Sequence, residues 1–344
     1  MKDKTKGWSR RGLVAMAATA ALLLSGCGAE SDTGNGGETG NGGETSEEIR
    51  IGAIYLDSQG YYGGVKAGVE RAAEASGLNV KFIETNPGGD VAKENEFMST
   101  LVSSGVSAII ISAASSESSI PAIKQAFDAG VPVICYNTCV NDEAVEKYVT
   151  AYIIGDPVTF GEKLGEAAVA TFSEAGITEP NMGVVNCEQY EVCKLRLQGF
   201  QDALVAGLPG ASIVANQEGA EVDRAVPVAE QMLTANPEIN GLYGEAGGAT
   251  IGAYKSVRTA GKVGEIYAFG SDMTTEIATE LAQGDVLKAV VDISGIAVGT
   301  LAWAAVEDAL NGTTPSEKIV QAPIDLYYPK DAAGWLEAHP DGLP

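Results

Sequence analysis

The chain has 344 residues, 45% of them apolar, and carries a formal net charge of −24. So acidic a chain is unsuited to gripping a nucleic-acid backbone or to docking by charge on anionic lipid. Its lone histidine, His339 near the C-terminus, excludes a Ser-His-Asp or Cys-His catalytic site and leaves a mixed cysteine–histidine zinc site little to draw on.

The first segment carries Lys2, Lys4, Lys6, Arg10 and Arg11, then the apolar run "GLVAMAATAALLLS". That run is shorter than the ~20 residues of a membrane span, so residues 1–26 read as an export signal. "LSGC" at Leu24–Cys27 resembles the lipobox of bacterial lipoproteins, which implies cleavage before Cys27 and a lipid on its thiol. "SRRGLV" at Ser9–Val14 resembles a twin-arginine export motif; a plain n-region reads the same way. Without residues 1–26 the charge deepens to −28. Residues 27–47 hold "GNGGET" twice in tandem, a polar Gly-rich stretch too poor in apolar surface to order itself, hence a tether. One acyl chain holds a protein only reversibly, so firm membrane attachment implies more than one.

From Glu48 strands and helices alternate. "IRIGAIYL", "NVKFIET", "VSAIIIS" and "VPVICYN" are strands, separated by helices in "YYGGVKAGVERAAEASG", "DVAKENEFMSTLVSSG" (Asp90 as N-cap) and "IPAIKQAFDAG". Runs such as "AIII" suit strands covered on both faces. The series restarts with "YVTAYI", a helix from Pro157, "NMGVVN", "EVCKLRLQGFQDALVAG", "SIVAN" and "AVPVAEQMLTAN". It continues through "INGLYGE", "GGATIGAYKSVRTAG", "GEIYAFGS" and "MTTEIATELAQG", and closes with "LKAVVDIS" and a helix around "IAVGTLAWAAVEDALNG". Such repetition means parallel sheets with right-handed crossovers, and two series of like length mean two doubly wound α/β lobes.

Ligands of such sheets sit beyond the carboxyl ends of the strands. Here those ends carry "LDSQGYY", "ISAASSES", "CYNTC", "IIGDP", "NCEQYEVCK", "GEAGG", "FGSDM" and "VDISG", material for bonding and stacking a small polar molecule. No P-loop, G-x-S-x-G elbow or dinucleotide turn follows a strand, and nothing singles out a glycosidase-type carboxylate pair from 46 acidic residues. The expectation is a binding protein without cofactor or metal, not an enzyme.

The order of elements from Glu48 onward, with "RLQGFQDAL", "GAYKSVRTAG" and "GEIYAFGSD", resembles the ribose/galactose-type periplasmic sugar-binding proteins of ABC importers. That resemblance implies two lobes joined by a three-crossover hinge, 48–155 with 294–322 and 156–293 with 323–344. It implies closure on a small neutral sugar or polyol, an ABC permease as partner, an extracytoplasmic monomer held to the membrane by lipid, and no nucleic acid. A sensor serving a chemoreceptor would share the same cleft. By the same resemblance Gln59, Tyr61 and Tyr62 bond and stack on the sugar, Ser112 adds a first-lobe contact, and Asn137 and Thr138 stand where an Asp-Arg pair is usual. Asp156 lies at the first crossover and either touches ligand or caps the next helix. Lys194 stands where an arginine often grips the sugar, with Arg196 expected in a structural ion pair. Glu245, Asp272 and Asp292 are the remaining second-lobe candidates. The aspartate of the family's "GFD" is replaced by Gly270, with Asp272 two places later. Because a guanidinium fork is not copied by Thr or Lys, the ribose-type hydroxyl pattern is not preserved.

Cys135, Cys139, Cys187 and Cys193 form an even set, which favours disulfides outside the cytoplasm. Of three pairings, the two that cross between loops would bolt the lobes together, so Cys135–Cys139 and Cys187–Cys193 are expected. Four free thiols, or a four-cysteine zinc site, remain as alternatives.

Overall fold

The computed structural model describes residues 48–58, 60–313, 315 and 317–344. The expected signal, Cys27, the tether and Gln59 lie outside the described residues.

In chain order the first lobe comprises β1 (Ile49–Ile54), α1 (Gly60–Ser76), β2 (Val80–Thr85), α2 (Val91–Ser103), β3 (Ala108–Ile111), α3 (Ile120–Asp128), β4 (Val133–Tyr136), α4 (Asp142–Tyr148) and β5 (Ala151–Ile154). The second comprises α5 (Pro157–Glu174), β6 (Asn181–Asn186), α6 (Glu191–Gly207), β7 (Ser212–Glu218) and α7 (Val222–Ala235). It continues with β8 (Gly241–Gly244), α8 (Gly247–Thr259), β9 (Tyr267–Ser271), α9 (Thr275–Leu281) and β10 (Leu287–Asp292). The chain returns to the first lobe as α10 (Gly295–Leu310) and β11 (Ile319–Gln321), then re-enters the second as β12 (Asp325–Tyr327) and α11 (Ala332–Ala338).

Each lobe has a six-stranded sheet, ordered β11-β5-β4-β3-β1-β2 and β12-β10-β9-β8-β6-β7, so the two share one topology. The buried run of β3 is explained by alternation. Ala108 and Ile110 face the cluster of Val65 and Val69 on α1 with Val298 and Ala302 on α10. Ile109 and Ile111 face that of Met98, Leu101, Ile123 and Ala126 on α2 and α3. Asp90 caps α2, accepting from the backbone of Ala92 and Lys93.

One strand departs from the all-parallel expectation: β12 runs antiparallel to β10. β11 lies parallel to β5 and leaves its sheet at the cleft end. Only Ala322–Ile324 separate it from β12, so β12 must enter the second sheet at the cleft end and run backwards. The three crossovers meet at Gly155, where a Cβ would lie 2.6 Å from Ile293 Cδ1 and 3.0 Å from Ile324 Cγ1. Only glycine leaves room there for the three connections to touch.

Candidate functional site

The first-lobe wall is built where β4 ends. Cys135 and Cys139, with Cα atoms 5.7 Å apart, have their sulfurs at bonding distance, and an isolated bridge joins Tyr136 to Thr138. This tight loop holds Asn137 at φ 54°, a left-handed conformation that asparagine tolerates better than most residues. Asn137 Nδ2 donates to the Tyr62 hydroxyl at 3.0 Å, and the Tyr152 hydroxyl donates to the Asn137 carbonyl at 2.7 Å. Tyr61 and Tyr62, in the first turn of α1, meet edge to face with centroids 5.2 Å apart, and Tyr62 in turn packs on Tyr136. Thr138 donates to the Ala113 carbonyl, so Ser112, 2.7 Å from its hydroxyl oxygen, is the donor in that pair. Both side chains are buried. The pair thus lies buried beside the Asn137 loop.

The second-lobe wall corrects the reading of α6. Lys194 lies on the surface, paired with Glu191 at 2.8 Å. Arg196 is the inward residue, 8% exposed, with its guanidinium carbon 4.2 Å from the centre of the Phe160 ring. Residues two apart on a helix point roughly 200° away from each other, so only one of the two can face inward. Arg196 forms no ion pair among the described residues, and its Nε has no hydrogen-bond partner. Asp156 is exposed and caps α5, accepting from Thr159 N at 2.7 Å.

Asp272 follows β9 directly, at φ 65°, and accepts from Gly247 N at 2.8 Å. Gly270 is in mid-strand, where a Cβ would come within 2.3 Å of Thr250 Cγ2, so no side chain fits at 270. Asp292 and Glu245 are buried at the ends of β10 and β8. One Asp292 oxygen accepts from Met273 N at 2.9 Å. Glu245 Oε2 accepts from Cys187 N at 2.9 Å, while Oε1 has no partner. Burial pushes both carboxyls up to about 8, so both are largely protonated at neutral pH. Burial also raises Asp272, against the pull of Arg196.

The two walls face each other closely. Burial raises the Tyr61 hydroxyl, which lies within the fields of Arg196 and Asp272. Tyr62 is raised likewise, within the fields of Tyr190 and Asp272. Tyr190 reaches across from the Cys187–Cys193 loop, its hydroxyl 3.4 Å from where a Cβ on Gly89 would stand. A separate hollow of about 510 Å³, lined by Leu233, Asn236, Ile239, Ser256 and Ile266, opens at the amino ends of β8 and β9, the wrong end for a ligand of this fold.

Residues 53–314 match the periplasmic binding protein domain. The chain belongs to the periplasmic binding protein family. Over 299 residues it is 51% identical to the ABC transporter periplasmic-binding protein YphF of Escherichia coli K12, covering 87% of this chain and 91% of that one. It is 28% identical to the D-ribose/D-allose-binding protein of Pseudomonas aeruginosa, covering 69% and 74%. A galactofuranose binding protein shares the fold with a TM-score of 0.77 at 21% identity, covering 86% of this chain and 99% of that one. A solute binding protein from Bacillus halodurans with bound myo-inositol gives 0.75 at 18%, covering 85% and 98%.

In this binding protein the groups brought together are Tyr61, Tyr62, Asn137, Arg196 and Asp272, with Glu245 and Asp292 behind them. They offer aromatic faces, amide and guanidinium donors and carboxylate acceptors, a set suited to hydroxyl groups. Arg196, Tyr152 and Tyr190 were not singled out for the site by sequence. For Tyr190 a signal existed, since it lies between two cysteines at a strand end. Among the described residues one trio has metal-ligating atoms within 4.8 Å of one another, Cys187, Cys193 and Glu245. Its two sulfurs lie against each other at bonding distance, with Cα atoms 5.6 Å apart. No described helix is long and apolar enough to cross a membrane.

Proposed function

We propose that this protein captures a small neutral sugar or polyol between its lobes, outside the cytoplasm, and delivers it to an ABC permease. Tyr61 and Tyr62 stack on the ligand, Asn137 and Arg196 donate to its oxygens, Asp272 accepts from its hydroxyls, and Gln59 adds a further polar contact. The protein is a monomer tethered through lipid on Cys27, and both cysteine pairs are oxidised. The observation that carries the reading is the buried Arg196, its Nε without a hydrogen-bond partner, on the same wall as Asp272 and opposite Tyr61. An unpaired buried charge is costly unless something supplies its hydrogen bonds, and a hydroxylated ligand does so. Relatives named for ribose, allose and ABC transport support the ligand class and the partner.

A thermal-shift screen over pentoses, hexoses, deoxy sugars and cyclitols tests it. A ligand at one hundred times its Kd stabilises the folded state by about 2.7 kcal/mol. If no neutral polyhydroxylated compound shifts melting while amino acids or sugar acids do, the reading is wrong.

A further inference from the structure

α11 packs against α9, and its Trp335 and Ala332 belong to the second-lobe core. His339 still stacks on Trp335, with ring centroids 4.3 Å apart, and beyond it the chain leaves that lobe. Gly342, at φ 73°, still presses on the start of α9, where a Cβ would stand 2.5 Å from Thr275 Oγ1. Its neighbours touch first-lobe helices instead. Asp341 pairs with Arg71 on α1. A Cβ on Gly63 would meet Leu343 Cδ2 at 3.3 Å. The Pro344 carbonyl accepts from Ile296 N at 2.9 Å and sits where a Cβ on Gly64 would come within 2.6 Å. Ile296 N belongs to the first turn of α10, among the helix amides that have no partner within the helix.

We propose that residues 339–344 are a strap that holds the two lobes together before any ligand arrives. The three crossovers are covalent and turn with the hinge. The strap is a fourth link and a non-covalent one, joining α9 to the helix that carries Tyr61 and Tyr62. Opening the cleft carries α9 and α11 away from α1 and α10. The strap cannot keep its contacts with Thr275 and with Ile296 at once in that motion, so one set must break. Its contacts therefore exist in full only in the closed arrangement, and they raise the population of that arrangement. Since apparent affinity scales with the binding-competent fraction, the strap also sharpens binding of whatever the cleft holds.

The test needs no ligand, so its failure leaves the solute-binding reading untouched. Spin labels go at Phe127→Cys and Val263→Cys, exposed positions at the far poles of the two lobes. Distances between them are read by electron–electron double resonance on the ligand-free full-length chain. Deleting Asp341–Pro344 should move the distribution to longer distances. The double substitution Arg71→Ala with Leu343→Ala, which leaves every core contact in place, should move it the same way, with circular dichroism unchanged. Identical distributions in the unaltered chain and the double variant overturn the proposal, even if the deletion fails to fold.

Discussion

Replacing Arg196 by methionine separates a ligand-binding role from a structural one, because the two predict opposite changes in stability. The guanidinium lies over Phe160 at 4.2 Å, a contact worth about 0.5–2 kcal/mol. Against this, a charge 8% exposed with an unpartnered Nε is held in the fold at a desolvation cost of several kcal/mol. Methionine fills similar volume and carries no charge, so the balance favours Arg196→Met by roughly 1–3 kcal/mol, in the range seen when buried ions are replaced by apolar groups. For a chain of this size that is a rise of a few degrees in Tm, at roughly 2–4 °C per kcal/mol. Binding moves the other way. Losing one charged hydrogen bond costs about 1.5–3 kcal/mol, a roughly 10- to 150-fold weaker Kd. Differential scanning calorimetry of the free protein and titration with the ligand found by screening read the two quantities separately. A lower Tm with unchanged Kd would make Arg196 a packing residue and remove it from the site.

Glu245→Gln tests the buried carboxyl. In the unfolded chain Glu245 loses its proton near pH 4, whereas in the fold it keeps it up to about 8, so wild-type stability falls as pH rises between those values. The variant has no proton to lose, and its melting temperature should fall less between pH 5 and 8; parallel slopes would contradict this. Asn137→Ala removes the bond to Tyr62 and Tyr61→Ala a stacking face, each weakening binding by roughly 1–3 kcal/mol in calorimetric titration. Unreduced tryptic mapping should recover Cys135 with Cys139, and Cys187 with Cys193, each as one peptide two hydrogens light; a species joining the two peptides refutes local pairing. Cys27→Ala should free the protein from membrane fractions, and a variant that still sediments with them, normally cleaved, places the anchor elsewhere.

What could be read without coordinates divides along physical lines. Strands such as β3 and β4 are short continuous apolar runs between helices of clear 3.6-residue period, and alternation of the two fixes a doubly wound architecture. β11 and β12 escaped notice. They are three residues each, half exposed, and carry no period that distinguishes them from loop. α4, with one turn of acidic residues, escaped for the same reason. Asn137, Tyr61 and Asp272, which lie near one another in the structure, could be singled out because strand ends and helix starts are located by the periods themselves. Lys194 was singled out but lies at the surface, and Arg196, expected in an ion pair, is buried without one; both lie in the first turns of one helix. Which of them faces inward depends on the rotation of α6 against α5, set by contacts some forty residues distant in sequence.

That rotation is fixed by glycine, and the same device recurs in both lobes. α5 enters from the first crossover and lies along α6, where a Cβ on Gly199 would sit 2.1 Å from Val158 O and one on Gly161 1.9 Å from Arg196 O. α10 enters from the second crossover and lies along α1, where a Cβ on Gly299 would sit 2.2 Å from Val65 O and one on Gly295 2.3 Å from Tyr61 O. In each lobe the helix that arrives from the hinge is thus pressed, backbone to backbone, onto the helix that carries a wall of the site. The carbonyls of Tyr61 and Arg196 are themselves points of contact. Such packing leaves no slack for either helix to slide or turn within its lobe. Rotation must then be taken up at Gly155, Ile293 and Ile324, and Tyr61 and Arg196 move toward or away from each other as parts of two rigid bodies. A side chain as small as alanine at Gly161 would push α6 outward and carry Arg196 off its place over Phe160, with Arg196 itself unsubstituted.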